Sequence, residues 1–203
     1  MSKINRRTFL VGTTKGLGLI AGFSLLPNIL SAKEAINKKK WDHQQFLTID
    51  TKGIATVHIT KTEMGQHIGT ALAQIVAEEL EIKWDDIRID YPDSDKKWGL
   101  MITGSSWSIN WTFDRNSRIG ASARIALIEA GANLMNVNQN DCYAQESKVI
   151  HKLTNKFVTY SDILSKKSIN RIFSEEELKA IKLKKFGEYL SLIHISEPTR
   201  PSV

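Results

Sequence analysis

The chain is short of several features, and each shortage excludes a class of protein. Cys142 is the single cysteine among 203 residues, which excludes a disulfide-stapled scaffold and any zinc or iron–sulfur site built from several cysteines. Four prolines, twelve glycines and 41% hydrophobic residues exclude collagen-like and disordered chains. No GxGxxG or phosphate-loop pattern occurs, so nothing indicates a dinucleotide or ATP site.

The net charge of +6 is concentrated at one end of the chain. The first 32 residues contain four basic residues, Lys3, Arg6, Arg7 and Lys15, and no acidic residue. The remainder therefore carries a net charge of only +2. Because a nucleic-acid binder needs a concentrated basic face, we predict no nucleic-acid partner.

The amino-terminal segment resembles an export signal. Arg6 and Arg7 precede an apolar stretch over residues 17–30, which is shorter than the ~20 residues of a typical membrane span. This order predicts a twin-arginine signal over 1–32, and hence a periplasmic protein, anchored to the membrane if the signal is not cleaved. A short membrane anchor and a buried helix are the alternatives. Residues 33–45 are polar and predict a linker.

The carboxyl-terminal segment is unrelated in composition to what precedes it. Residues 190–200 match the in-frame translation of a common sequencing-library adapter. We therefore predict that 190–203 are an artefact. We also expect the natural protein to continue beyond Tyr189.

Residues 46–80 show clear periodicity in their apolar side chains. Residues 46–50 and 54–60 alternate apolar and polar side chains around Gly53, which predicts a β-hairpin. Apolar residues at helical spacing predict a helix over 68–80. Three glutamates are expected to mark its exposed side: Glu78, Glu79 and Glu81.

The second half gives weaker signals. Residues 87–91 predict a strand, and 114–134 predict a second helix with Asp114 as its N-cap. A short strand pair over 148–151 and 156–160 and short helices opening at Ser161 and Ser174 are expected to follow. The order of hairpin, helix, strand and helix predicts an α+β domain.

The loop after the hairpin is the first candidate for chemistry. Its Glu63-Met64-Gly65-Gln66 sequence joins a strand to a helix, where a glycine permits close approach of a ligand and the helix N-terminus favours anions. From these residues alone, an ordinary connection remains the alternative.

A family resemblance strengthens this hypothesis. The sequence resembles the molybdopterin-binding large subunit of the xanthine dehydrogenase/aldehyde oxidase family, and within it the isoquinoline 1-oxidoreductase β-subunit type. The segments that carry the resemblance are residues 61–72, 75–80, 84–89, 103–108, 118–124 and 183–187. The resemblance implies that 46–189 form an incomplete molybdopterin-binding domain.

The resemblance also implies site residues. Gln66 matches a glutamine that hydrogen-bonds an oxo ligand of the molybdenum, which makes it a neighbour of the metal rather than a ligand. The other cofactor-binding positions implied are Gly65, His67, Gly104 and Ser105. His67 and Ser105 stand where the family has glycine, so an altered backbone or a crowded cofactor is expected there.

The activity implied is hydroxylation of aldehydes or N-heteroaromatic compounds with oxygen derived from water. The resemblance implies a molybdenum cofactor, in the molybdopterin cytosine dinucleotide form, and iron–sulfur clusters on a small partner subunit. A cytochrome c is a further expected partner. The general base lies beyond this chain in the family, so the resemblance implies no catalytic residue here and no activity of the chain alone.

A second hypothesis belongs to a different class. The chain could instead be an inert truncated product or a small exported binding module without metal. Metal and cofactor content separates the two hypotheses.

Overall fold

A computed structural model describes residues 18–21, 43–166, 169, 171–185 and 187–189. The predicted adapter segment and most of the predicted signal and linker lie outside these residues. Within the described part of the chain, no helix combines the length and apolarity that a membrane crossing requires.

The predicted hairpin is confirmed. Strands β2 (Leu47–Asp50) and β3 (Ala55–His58) pair antiparallel. The Asp50 carboxylate accepts hydrogen bonds from two backbone N–H groups of the turn, and Gly53 takes a left-handed φ of 79°. A strand that lies within the predicted signal, β1 (Gly18–Ala21), pairs antiparallel with β2.

The first helix and the next strand are also confirmed. Helix α1 spans Ile68–Leu80, as the periodicity predicts, and strand β4 spans Ile87–Asp90. Because β3 and β4 are parallel, α1 serves as the crossover of a β-α-β unit. The sheet order is β1-β2-β3-β4.

The second helix begins earlier than predicted. Helix α2 spans Ser108–Met135, and Asp114 is not its N-cap but lies within it, where its carboxylate pairs with Arg118 Nε at 2.8 Å. The chain leaves a left-handed conformation at Ser106 and winds directly into the helix. Asp114, the capping-type residue chosen from the sequence, therefore does not mark the start of α2.

A small second sheet follows α2. Strands β5 (Cys142–Gln145), β6 (Lys148–His151) and β7 (Phe157–Thr159) form an antiparallel sheet in that order. The sequence predicted β6 and β7 but missed β5. The β5–β6 turn uses Glu146 and Ser147 at positive φ rather than the usual Asn-Gly or Asp-Gly.

Two short helices complete the described chain. Helix α3 spans Tyr160–Lys166, and helix α4 spans Glu175–Ala180. Ser174 and Glu177 form a reciprocal capping box at the start of α4, which explains why Ser174 signalled a helix. The chain is thus an α+β fold.

The core lies where α1 and α2 pack together and against the sheet. Both helices, strands β2, β3 and β4, and α3 all contribute buried side chains. The largest of these are Leu47, Ile49, Leu72, Leu80, Ile119, Leu127, Tyr160, Ile163 and Leu164.

The prediction that Glu78 and Glu79 lie on the exposed side of α1 is wrong. Glu79 is 0% exposed and Glu78 is 9% exposed. Lys184 N donates to Glu79 Oε1 at 2.9 Å, and Arg124 Nη2 lies 3.6 Å from Glu79 Oε2. These partners come from α2 and from the segment after α4, so the local sequence of α1 gives no sign of them.

Candidate cofactor site

Two loops meet at the amino-terminal ends of α1 and α2. The first loop, residues 61–67, connects β3 to α1; the second loop, residues 99–107, leads into α2. Lys61 Nζ donates to the Ile102 carbonyl at 2.7 Å. Thr62 N donates to Thr103 Oγ1, also at 2.7 Å. These two hydrogen bonds hold the loops together although about 40 residues of chain separate them.

Glu63 organises the start of α1. Its Oε1 accepts hydrogen bonds from Gly65 N at 2.8 Å and His67 N at 3.0 Å, and its Oε2 accepts from Gly69 N at 3.4 Å. Partial desolvation acts to raise the pKa of Glu63, but the backbone N–H groups of His67, Gly65 and Gly69 and the Tyr91 hydroxyl hold it below the usual range. The carboxylate thus caps the helix as an anion.

Both polar atoms of the Gln66 side chain form hydrogen bonds within the first loop. Its Oε1 accepts from Met64 N at 2.6 Å, and its Nε2 donates to the Thr62 carbonyl at 2.8 Å. Because a carboxamide has two N–H donors, the second has no partner among the described residues and remains for a ligand. Gln66 is exposed, so that donor is accessible.

The two departures from the family pattern keep the backbone that glycine favours. His67 has a φ of 58° and Ser105 a φ of 52°, both left-handed. Each costs about 1 kcal/mol or more for a residue with a Cβ. The cost at both positions is local strain.

The glycines of the two loops border free space. Gly65 has a φ of 92°, and a Cβ built on Gly65 or Gly104 would meet nothing within 4 Å. The accessible polar groups of the loops, including the spare Gln66 N–H, fit the polar edge of a cofactor. In the described residues, no three His, Cys, Asp or Glu side chains gather as metal ligands do.

Large apolar side chains surround the site and remain exposed. Met64 is 71% exposed. The rings of Trp107 and Trp111 lie 5.3 Å apart at the start of α2. The other exposed members are Leu100, Ile102, Ile109 and Phe113.

The structure brings together the residues that the sequence singled out. Gly65, Gln66 and His67 lie on the first loop, and Gly104 and Ser105 lie on the second. Their roles toward a cofactor stay predictions. Sequence reasoning missed the groups that join the loops, because Thr62 and Thr103 are ordinary polar residues with no periodic or spacing signal.

The chain matches the family model of the molybdopterin cofactor-binding domain over residues 5–197. It therefore belongs to the molybdopterin cofactor-binding domain family. The family resemblance drawn from the six sequence segments is confirmed.

Two curated relatives match. The membrane-bound aldehyde dehydrogenase (pyrroloquinoline-quinone) of Gluconacetobacter polyoxogenes is 37% identical over 196 residues, covering 92% of this chain and 24% of the relative. The isoquinoline 1-oxidoreductase subunit beta of Brevundimonas diminuta is 27% identical over 135 residues, covering 63% of this chain and 17% of the relative. The chain thus spans about a quarter or less of the length of these relatives.

Solved structures show a partial likeness. Quinoline 2-oxidoreductase from Pseudomonas putida 86 matches with a TM-score of 0.48 at 20% identity, over 59% of this chain and 15% of that chain. A Cu,Mo-containing CO dehydrogenase matches with a TM-score of 0.48 at 24% identity, over the same shares of both chains. The family assignment rests on the sequence match alone.

Proposed function

We propose that this chain is the amino-terminal part of a molybdenum hydroxylase large subunit that oxidises aldehydes or N-heteroaromatic compounds with water-derived oxygen. One observation carries the proposal. The hydrogen bonds from Lys61 and Thr62 to the second loop place Gln66 and the Gly104-Ser105 turn at the same end of a chain of this family. The printed names of both curated relatives, an aldehyde dehydrogenase and an isoquinoline oxidoreductase, agree with these substrate classes.

The chain's own contribution is binding and orientation. When bound, the molybdenum cofactor supplies the oxygen transfer and accepts the electrons. Gln66 would turn its spare Nε2–H toward a cofactor oxygen, while its bond to the Thr62 carbonyl holds the side chain in place. Gly65 and Gly104 would let the backbone approach the pterin. The general base would come from another part of the full subunit.

The remaining parts of the enzyme are proposed from the same family. The cofactor would be the cytosine dinucleotide form of molybdopterin. Electrons would leave through iron–sulfur clusters on a small partner subunit and then to a cytochrome c, since Cys142 alone cannot ligate a cluster. The clusters and the cytochrome are testable by copurification with the full-length subunit.

We further propose that the protein is exported to the periplasm by the twin-arginine route. Arg6 and Arg7 before an apolar stretch support this proposal. Replacing both arginines by lysine is expected to retain the precursor in the cytoplasm. Normal export of this double variant would contradict the route.

The printed name of one relative points to a second cofactor. The Gluconacetobacter protein is named for pyrroloquinoline quinone, whereas the family is named for molybdopterin. Cofactor extraction from the full-length protein separates the two, because oxidised pterin is fluorescent and molybdenum is measured by mass spectrometry. Quinone without pterin or molybdenum would overturn the proposal.

The alternative of an inert product without metal is tested on the gene. Sequencing the source DNA through the codon for Tyr189 shows whether the reading frame continues. Several hundred further codons, with a later segment that supplies a glutamate base, are expected. An immediate stop would leave the first loop without a base and favour the inert product.

Gln66→Ala in the full-length enzyme tests the central contact. Removing one charge-stabilising donor is expected to slow reduction of the enzyme by substrate about 10²-fold, while the fold is retained. Rapid-reaction absorbance measures this rate. Gln145→Ala, at an exposed glutamine of β5, is the matched control. An unchanged rate in Gln66→Ala would remove the role given to Gln66.

A further inference from the structure

Tyr91 lies against the first turn of α1, although it follows strand β4 in the chain. A Cβ built on Gly69 would lie 2.0 Å from the Tyr91 hydroxyl oxygen and 2.8 Å from its Cζ. The second residue of α1 is thus a glycine at the place where the tyrosine ring needs room, in a helix where alanine would otherwise be favoured. This close contact fixes the ring over the start of the helix.

The Tyr91 hydroxyl reaches the carboxylate that organises the first loop. It donates to Glu63 Oε2 at 3.4 Å, the oxygen that also accepts from Gly69 N. Partial burial, and then the negative charge of Glu63 and this hydrogen bond, raise the pKa of Tyr91. The hydroxyl therefore stays protonated at neutral pH and remains a donor, which restrains the rotation of the Glu63 carboxylate.

The orientation of this carboxylate bears on Gln66. The other oxygen, Glu63 Oε1, accepts from Gly65 N at 2.8 Å and from His67 N at 3.0 Å, and these two residues stand on either side of Gln66. Glu63 thereby holds the backbone from which the Gln66 side chain projects. A rotation of the carboxylate would move both neighbouring N–H groups, and the spare Nε2–H of Gln66 with them.

We propose that Tyr91 is a positioning residue, which acts through Glu63 to hold Gln66 in the orientation that a cofactor oxygen requires. The inference rests on the proposed function, which makes the Gln66 N–H a donor to the cofactor. Among the described residues, the hydrogen bond of the Tyr91 hydroxyl goes to Glu63 and not to Gln66, so its effect passes through the carboxylate. Gly69 is part of the same arrangement, because it leaves the space that the hydroxyl occupies.

The role in the loop is tested by proton–nitrogen correlation spectra of the 203-residue chain. Tyr91→Phe keeps the ring and removes only the donor. The backbone N–H signals of Gly65 and His67 and the carboxamide signal of Gln66 are therefore expected to shift. Tyr143→Phe, at an exposed tyrosine of β5, is the matched control and should leave these signals in place. Unshifted signals in Tyr91→Phe would overturn the positioning role.

A second pair of variants separates positioning from stability. Gly69→Ala keeps the hydroxyl but displaces the ring, so it should lower the melting temperature and shift the Gln66 carboxamide signal. Adding Tyr91→Ala to Gly69→Ala removes the clash, and the melting temperature is expected to recover in part. The signal should stay displaced, because the donor is still missing. A signal that returns together with the melting temperature would show that Tyr91 only packs against the helix, and would overturn the proposal.

The full-length enzyme tests the effect on the reaction. Tyr91→Phe is expected to slow reduction by saturating substrate about fivefold, the loss of one weak hydrogen bond to a charged group. The substrate concentration that gives half of the limiting rate should not change, because Tyr91 does not bind substrate. Added to Gln66→Ala, the same change should cost nothing further. A further fivefold loss in the double variant would overturn an action through Gln66.

The two kinds of measurement separate failure of this inference from failure of the proposed function. A wild type that substrate reduces, with an unchanged rate in Tyr91→Phe, overturns the inference and leaves the proposed function standing. A full-length wild type that binds no molybdenum overturns the proposed function. The spectra of the 203-residue chain then decide whether Tyr91 positions Gln66.

Discussion

The two ends of α1 differ in the burial and the pairing of their polar groups. At its carboxyl-terminal end, Glu78 and Glu79 are buried and meet Arg124 and Lys184 from other parts of the chain. At its amino-terminal end, residues 62–67 of the first loop are exposed, and their polar groups bond mainly within the loop and to the second loop. The glutamates of one end meet cations of this chain, whereas the other end has exposed aromatic rings and a lysine, Lys61, without a carboxylate partner among the described residues.

This difference separates stability from binding. A buried charge lowers stability unless it is paired, so the paired end can tolerate burial. The loop end has strained residues, His67 and Ser105, and large apolar side chains facing solvent. Such strain and exposure are typical of a surface that a ligand or another part of a protein covers. Substitutions at four positions test this comparison.

The largest effect is expected from Gly120→Ala at the crossing of α1 and α2. A Cβ on Gly120 would lie 2.5 Å from the Val76 carbonyl oxygen and 2.9 Å from Glu79 Cβ, so the helices must separate. We expect a loss of about 3 kcal/mol in the free energy of unfolding, measured by urea denaturation. Gly104→Ala is the matched control in the second loop and should change it by less than about 0.5 kcal/mol. Similar losses in both variants would contradict the comparison.

Glu79→Ala is expected to have the next largest effect. It leaves the Lys184 N–H without its acceptor and Arg124 without its carboxylate, which costs about 2 kcal/mol. Chemical denaturation measures this loss. Glu79→Gln keeps an acceptor for Lys184 N and should lose less.

The pH dependence of Glu79→Gln sharpens this prediction. Burial raises the pKa of Glu79 above its ordinary 4.5, although Lys184 and Arg124 act in the opposite direction. A raised pKa in the folded state means that the carboxyl group favours folding at low pH, and that this contribution is lost as the pH rises from 4.5 through the folded-state pKa. Relative to wild type, the glutamine variant should therefore gain stability with rising pH over that range. A difference independent of pH would contradict a raised pKa.

Glu63→Gln is expected to show a pH dependence of the opposite sign and a smaller effect. The pKa of Glu63 is lowered in the folded chain, so its contribution is present above pH 4.5 and is lost as the pH falls through the folded-state value. Wild type should therefore exceed the variant in melting temperature at pH 7. The two should converge in acid, and a constant gap would show that the backbone contacts do not depend on charge.

The smallest effect, and the only gain, is expected from His67→Gly. Glycine removes the strain of a left-handed φ but increases the freedom of the unfolded chain, so the net gain is about 0.5 kcal/mol. Asp93→Gly, at an exposed loop residue outside the left-handed set, is the control and should give no gain. A loss of stability in His67→Gly would mean that the imidazole itself supports the loop.

The sequence predicted the elements whose signals are local. Alternation gave the hairpin, helical spacing gave α1, and the Ser174 capping pattern gave α4. Strand β5 was missed because its turn is held from outside: Ser147 N donates to the Glu81 carbonyl, and Ser147 Oγ donates to Asp86. Because these distant contacts stabilise the positive φ of Glu146 and Ser147, the residues of the turn itself do not indicate it in the sequence.

The candidate site, too, was predicted from the sequence only in part. The segments that resemble the family indicated it from the sequence, and the motif of the first loop pointed to Gln66. The pairing of that loop with the second was decided by Thr62–Thr103 and Lys61–Ile102 contacts that only the fold creates.

The sequence alone thus determined the α+β order, the family and the residues of the first loop, because periodicity and motifs are properties of neighbouring residues. Tertiary structure alone decided that Glu79 is buried and paired and that Lys61 is buried without a carboxylate among the described residues. Burial and charge pairing depend on residues brought together from distant parts of the chain. A glutamate on a helix and a lysine in a loop therefore carry no sign of either in the sequence around them.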